Sequence, residues 1–182
     1  MSSKDRRRWD EKWRLRDGAD SVPAWLVSHQ SLLTGGGIAV DLATGRGASA
    51  RFLAGHGYQV VAVDVSLVAL RQAGEAVGSA ALQKPLFVQG DLDNWLLAPQ
   101  SVDVVTVFRY LDRDVFPAIR RALRPDGLLF YETRTIGWLD REPAANPDFL
   151  LRRGELLRLV SGMYVAAYLE SGHYASLVAQ QR

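Results

Sequence analysis

Cysteine is absent from the 182 residues, histidine occurs only three times, and no long apolar run opens the chain. Each shortage removes a class of chemistry. Without cysteine there are no disulfides, no thiolate metal sites and no cysteine nucleophile. Without an apolar stretch near the N-terminus, neither a signal peptide nor a membrane span is expected, and a cytoplasmic protein is the default. His29 and His56 read as surface helix residues, and His173 as a structural residue at the start of a strand. No metal site is expected, and internal repeats and low-complexity tracts are missing.

What is present is a good core and an uneven charge. Apolar residues make up 48% of the chain, enough for one sizeable core and too much for disorder outside the ends. Residues 1–16 hold seven basic and three acidic side chains, a net of +4, so the rest of the chain carries −2 against a total of +2. The basicity therefore belongs to the leading segment. With no broad basic stripe on the remainder, that segment reads as a solvated helix, and nucleic acid is not the expected partner.

Trp9 and Trp13, four residues apart, share one face of a helix expected to run through Arg16 and stop near Asp17-Gly18. A second helix is expected from Pro23 to Leu33, before Gly35-Gly36-Gly37 breaks the chain. From there strands and helices alternate. Strands are expected at 38–41, 58–64, 86–88, 102–108 and 127–133, with helices at 48–56, 66–77 and 112–123. Near-continuous apolar strands separated by helices predict a parallel sheet covered on both faces. A short helix at 153–160 and a hairpin of 163–170 with 173–180 around Ser171-Gly172 close the chain. Residues 1–35 form a helical cap segment and 36–182 the main body of a single domain.

The most informative stretch runs from Ile38 to Asp64. An apolar strand ends in Asp41, a turn holds Gly45 and Gly47, a helix follows, and a second strand ends in Asp64. Glycines at such a turn let a backbone approach a ligand closely at the mouth of a parallel sheet. An acid at the tip of the next strand can accept two hydrogen bonds from a ribose diol. Gly45-x-Gly47-x-x-Ala50 with Asp64 nineteen residues beyond Gly45 also fits a relaxed dinucleotide fingerprint. Asp41 argues against a pyrophosphate, which its charge would repel, and for a cofactor carrying an ammonium and a sulfonium. After a third strand, Asp91 can accept from an adenine amine.

These residues resemble the motifs of the class I S-adenosylmethionine-dependent methyltransferases. The glycine-rich first motif looks like Val40-Asp-Leu-Ala-Thr-Gly-Arg-Gly47, and the ribose acid looks like Asp64 in Val63-Asp-Val-Ser66. The adenine acid looks like Asp91, the fourth strand like 101–108, and the turn ahead of the fifth like 122–130. The family often has a third glycine where Ala48 or Ser49 stands here. The resemblance implies a Rossmann-like α/β fold. Its sheet has seven strands, mostly parallel with a C-terminal antiparallel hairpin, and helices lie on both faces. It implies S-adenosyl-L-methionine as cofactor, held by Asp41, Ala43, Gly45, Gly47, Asp64, Val65, Asp91, Leu92, Phe108 and Arg109. It further implies an N-terminal segment, with Trp13 and Arg14, that folds over the cofactor. Chain length and the Trp9-Asp-Glu-Lys-Trp13 opening are similar to the small methyltransferases related to tellurite-resistance and thiopurine enzymes.

Methyl transfer from a sulfonium needs alignment more than acid–base chemistry, and alignment can be worth on the order of 7–11 kcal/mol. No acid–base pair stands out. The Asn-Pro-Pro-Tyr motif of amino-group methyltransferases is missing after the fourth strand, where Phe108-Arg-Tyr-Leu111 stands. Arg109, Glu132 and Arg134 are the candidates for handling the acceptor. The cations suit an anionic small molecule, and Glu132 a base or anchor. Trp138, Pro143 and Pro147 lie in the expected lid. Three rivals stand beside this reading: an RNA methyltransferase, an NAD-type oxidoreductase, and a non-catalytic S-adenosylmethionine-binding protein.

Overall fold

The computed structural model describes residues 3–16, 18, 20–78, 81–94 and 97–182. Asp17, the expected stop of the first helix, lies outside them. Seven strands form a sheet of order β3-β2-β1-β4-β5-β7-β6, and the chain divides into two compact units, residues 1–96 and 97–182.

The first unit contains the parallel strands β1 (Ile38–Leu42), β2 (Gln59–Asp64) and β3 (Leu86–Gln89). In β1 and β2, Ala39, Val40, Leu42, Val60, Ala62 and Val63 are all buried, as expected of strands covered on both faces. The register sets Asp41 opposite Ala62 and Asp64 opposite Gln89, so the acids of β1 and β2 stand at strand ends. Helix α3 (Ala48–Gly55) buries Ala50, Leu53 and Ala54, and α4 (Leu67–Glu75) buries Ala69, Leu70 and Ala73. Both sets recur at three- and four-residue spacing, which turns one stripe to the sheet. Ser66 caps α4 by accepting from the Ala69 amide at 3.2 Å.

Helix α1 (Ser3–Arg14) packs on α4. The helix expected at 23–33 is shorter: α2 spans Ala24–Ser28, and a 3-10 turn follows at Gln30–Leu32. At the break the Ser28 hydroxyl donates to the Trp25 carbonyl, and the His29 ring stands 2.9 Å from the same oxygen. Such side-chain bonds compete with helix continuation.

The second unit holds β4 (Val102–Phe108), α5 (Val115–Ala122), β5 (Leu123–Arg134), α6 (Glu155–Leu159), β6 (Tyr164–Glu170) and β7 (Tyr174–Gln180). Strands β4 and β5 are parallel, and β7 runs antiparallel between β5 and β6. The hairpin is therefore present where expected, closed by the Ser171 amide donating to the Tyr174 carbonyl at 2.8 Å. Strand β5 starts four residues before the expected Gly127, and Asp126 within it has a φ of 65°.

The stretch after β5 is anchored at several points. Arg113 donates to the Glu155 carboxylate at 2.7 Å, to the Asp148 carbonyl at 2.6 Å and to the Leu150 carbonyl at 3.2 Å. At Gly137 an added Cβ would fall 1.8 Å from the Gly172 carbonyl oxygen, so only glycine allows this approach of two backbones. Among the described residues, no helix is long and apolar enough to cross a membrane.

Candidate functional site

In the first unit the turn after β1 is built from left-handed residues. Ala43, Gly45 and Gly47 have φ of 54°, 56° and 70°. This path turns the Gly45 amide onto Asp64 Oδ2 at 2.8 Å, while the Thr44 amide donates to the Val63 carbonyl at 3.0 Å. The Thr44 hydroxyl donates to Asp41, which is 2% exposed. The tips of β1 and β2 are thus tied together through the glycine turn.

Asp64 is buried at the end of β2. The Ser66 amide donates to its Oδ1 at 2.9 Å, so both oxygens accept backbone bonds. Burial pushes its carboxyl above the usual carboxylate range, against the pull of the amides of Ser66, Gly45 and Val65. The charge of Asp10 pushes in the same direction as burial.

Asp91 stands one residue past the bond from the Gly90 amide to the Asp64 carbonyl, 3.0 Å long, so the third acid follows directly on the second strand tip. It accepts from the Asp93 amide at 3.1 Å, and Leu92 beside it is buried. Asp41, Asp64 and Asp91 all belong to the first unit and lie near, at and just past the ends of three adjacent strands. Val65, between Asp64 and the capping Ser66, is 9% exposed.

Helix α1 lies on this turn. Trp13 is buried, and an added Cβ on Gly45 would fall 2.8 Å from two atoms of its indole, so the ring rests directly on that glycine. The Arg46 guanidinium stands 5.6 Å from the Trp13 ring centroid and that of Arg16 4.9 Å, distances that suit cation–π attraction. Arg46 also donates to the Gln72 side chain at 2.9 Å and to the carbonyls of Arg16 and Gly18.

One turn earlier on α1, Asp10 Oδ1 accepts from the Ser66 hydroxyl at 2.6 Å and from the Val68 amide at 3.2 Å. It thereby satisfies an open amide at the start of α4. Arg14 is exposed on the same helix. Asp10 and Arg46 were not among the expected site residues. Arg46 lies between the two glycines and carried a readable signal, whereas nothing local ties Asp10 to Ser66, 56 positions away.

In the second unit, Phe108 ends β4 and Arg109 follows with a φ of 60°, a conformation that is uncommon for a side chain of this size. Its amide donates to the Glu132 carbonyl at 2.7 Å, and its side chain is exposed. The Glu132 carboxylate accepts from the Ser176 hydroxyl at 2.7 Å. Arg134 lies with its guanidinium 3.9 Å from the Trp138 ring centroid and donates to Glu142 at 3.2 Å. The Trp138 indole N–H donates to the same carboxylate at 2.9 Å. Arg134 is thus held inside its own loop, while Arg109 projects from the end of its strand. His173 lies edge-on to Trp138, with ring centroids 6.2 Å apart. Among the described residues no group of three or more His, Asp or Glu side chains is arranged to hold a metal.

Residues 39–127, which span the glycine turn, the three strand-end acids and β4, match the sequence model of a family described as a methyltransferase domain. The chain carries a class I S-adenosylmethionine-dependent methyltransferase domain. No curated protein matches it in sequence.

Solved structures share the fold of this methyltransferase at low identity. An S-adenosylmethionine-dependent methyltransferase from Mesorhizobium loti is 18% identical over 87% of this chain and 99% of its own, with a TM-score of 0.71. A protein from Pyrococcus horikoshii gives 18% identity and a TM-score of 0.75, covering 94% of this chain and 99% of its own. The geranyl diphosphate C-methyltransferase of Streptomyces coelicolor, solved with Mg2+, geranyl diphosphate and S-adenosyl-L-homocysteine, is 14% identical over 87% and 79% of the two chains. Its TM-score is 0.71.

Proposed function

We propose that this methyltransferase transfers a methyl group from S-adenosylmethionine to a small-molecule acceptor with an anionic group. The observation that carries the reading is the buried Asp64 carboxylate fastened to the Gly45 amide at 2.8 Å. That single contact places an acid and a left-handed glycine together, which is the donor set a ribose beside a backbone requires.

When bound, the cofactor supplies an electrophilic methyl on a sulfonium. The chain's own residues bind and orient. Asp64 accepts from the ribose hydroxyls, and Val65 packs beside it. Asp91 and Leu92 address the adenine. Asp41, held by Thr44, sets a negative charge toward the ammonium end, and the turn of Ala43, Gly45 and Gly47 supplies the close backbone. Trp13 and Arg14 on α1 close over this turn.

Arg109 holds the anionic group of the acceptor as a fixed cation, with Phe108 at its side. Glu132 takes a proton where the acceptor arrives protonated, and Arg134 positions the Trp138 loop. The diphosphate in the Streptomyces coelicolor enzyme's complex supports an anionic acceptor. The tryptophans of α1, in Trp9-Asp-Glu-Lys-Trp13, support the small methyltransferases related to tellurite-resistance and thiopurine enzymes as the subfamily.

The test is a kinetic split. Arg109→Ala is expected to raise the acceptor KM by roughly tenfold or more, the scale of one charge-assisted contact, with S-adenosylhomocysteine affinity unchanged by calorimetry. An unchanged KM for a panel of carboxylate and phosphate acceptors would remove the anionic class.

A further inference from the structure

We infer that helix α1, in its docked position, closes the cofactor site, so that S-adenosylmethionine enters only after α1 has lifted from the glycine turn. The inference rests on the reading that Asp64 and Gly45 hold the cofactor's nucleoside, and it adds a gate to that site. A glycine admits a ligand closely on the side where other residues carry a Cβ. On Gly45 that side is filled: two atoms of the Trp13 indole lie 2.8 Å from where the Cβ would stand. Nothing fits between ring and backbone, since carbon atoms in contact sit about 3.5–4.0 Å apart. Gly45 is buried, Asp64 is 7% exposed and Val65 is 9% exposed. The residues that would grip a ribose are shut off from solvent while the helix is down.

Three attachments hold α1 there, all within the first unit. Asp10 accepts from the Ser66 hydroxyl at 2.6 Å and from the Val68 amide at 3.2 Å, just past Asp64 in the chain. The Gln72 side chain donates to the Trp13 carbonyl at 3.4 Å. Beyond the helix, the Arg46 guanidinium donates to the carbonyls of Arg16 and Gly18. Asp10 and Trp13, three residues apart on one helix face, thus bracket the site. One is bonded beside the ribose acid, and the other lies on the glycine turn.

This hold is light enough to release. Arg6, Arg7, Arg8, Glu11, Lys12 and Arg14 are exposed, so half of the 12 residues of α1 bury little. A helix of this length is marginal alone in water, and its docking consists of one aromatic contact and a few hydrogen bonds. Elements held in this way open well below the free energy of global unfolding. The charges of Asp10 and Asp64 also oppose each other, a repulsion that lifting relieves. Cofactor affinity is then set by the open fraction as well as by the contacts in the site. Once the cofactor is seated, Trp13 and Arg14 close over it instead of over bare backbone.

Because the chain has no cysteine, one engineered pair can lock the gate. Asp10→Cys combined with Ser66→Cys sets two thiols where a 2.6 Å hydrogen bond now joins the side chains. Affinity for S-adenosylhomocysteine, by calorimetry on the full chain, is expected to fall at least roughly a hundredfold on oxidation and to return on reduction. Equal affinity of the oxidised and reduced forms overturns the gate and leaves the cofactor reading standing. No binding by the wild type overturns the cofactor reading itself, and the gate with it. A second measurement needs no disulfide. Asp10→Ala removes the bonds from Ser66 and Val68 and raises the open fraction, so S-adenosylhomocysteine should associate roughly tenfold faster in stopped flow. An unchanged or slower association rate overturns the proposal.

Discussion

At position 43 the turn after β1 places an alanine at a φ of 54°, a backbone region that suits glycine. Relief of that strain in Ala43→Gly is expected to stabilise the protein by about 1 kcal/mol, a rise in Tm of about 2–4 °C. A melting curve unmoved or lowered would show that the surroundings absorb the strain. Asp64 gives a prediction in pH. Its carboxyl is raised by burial, so the folded protein holds this proton more tightly than the unfolded chain. The stability it contributes is therefore present at acid pH and lost as pH rises through the raised value. The Tm of the wild type minus that of Asp64→Asn should grow as pH falls from neutrality toward the ordinary carboxylate range. Because a carboxylate is the better acceptor, S-adenosylhomocysteine affinity should fall over the same window. Calorimetry at a series of pH values checks both signs, and a flat or reversed trend refutes them.

For the elements, the attachment of α1 matters most. It rests on one buried indole over Gly45 and on Asp10 at the start of α4. Deleting a buried tryptophan side chain typically costs about 3–5 kcal/mol where the site cannot collapse. Trp13→Ala is therefore expected to release α1, with trypsin cutting among Arg6, Arg7, Arg8 and Lys12 much sooner than in the wild type. Ser66→Ala removes the α4 cap and a partner of Asp10, at about 1 kcal/mol of stability. Equal cleavage rates for the Trp13 variant would mean that the indole is not what holds the helix. The hairpin of β6 and β7 was readable from alternation around Ser171-Gly172, whereas the start of β5 was not. Arg124-Pro125-Asp126 reads as a turn, yet pairing of Leu123 with Val102 carries the strand back across it.

Across the whole molecule, the cofactor preference is the decisive measurement. The full chain is expected to bind S-adenosylhomocysteine and not NAD in the same calorimeter, since the charge of Asp41 opposes a pyrophosphate. Measurable NAD binding with no response to S-adenosylhomocysteine would refute it. The fold and the glycine turn with its neighbouring acid were largely legible in the sequence. Gly45, Gly47 and Asp64 announce themselves by spacing, and the apolar runs of β1, β2 and β4 by continuity. The acceptor side was less legible. In the sequence, Arg109, Glu132 and Arg134 look alike as polar residues near a strand end. The structure nonetheless gives Arg134 to Trp138 and Glu142 and leaves Arg109 exposed.

The amino-acid order alone determined the alternating α/β plan, the glycine turn and the acids at the strand ends, because each is a local pattern of period, backbone freedom and charge. Only the folded chain decided that Trp13 lies on Gly45 and that Asp10 caps α4. Those pairs join residues 32 and 56 positions apart, and no local propensity encodes them. They exist because burying apolar surface brings whole elements together, and the polar groups carried along must then find partners in whatever neighbours the packing supplies.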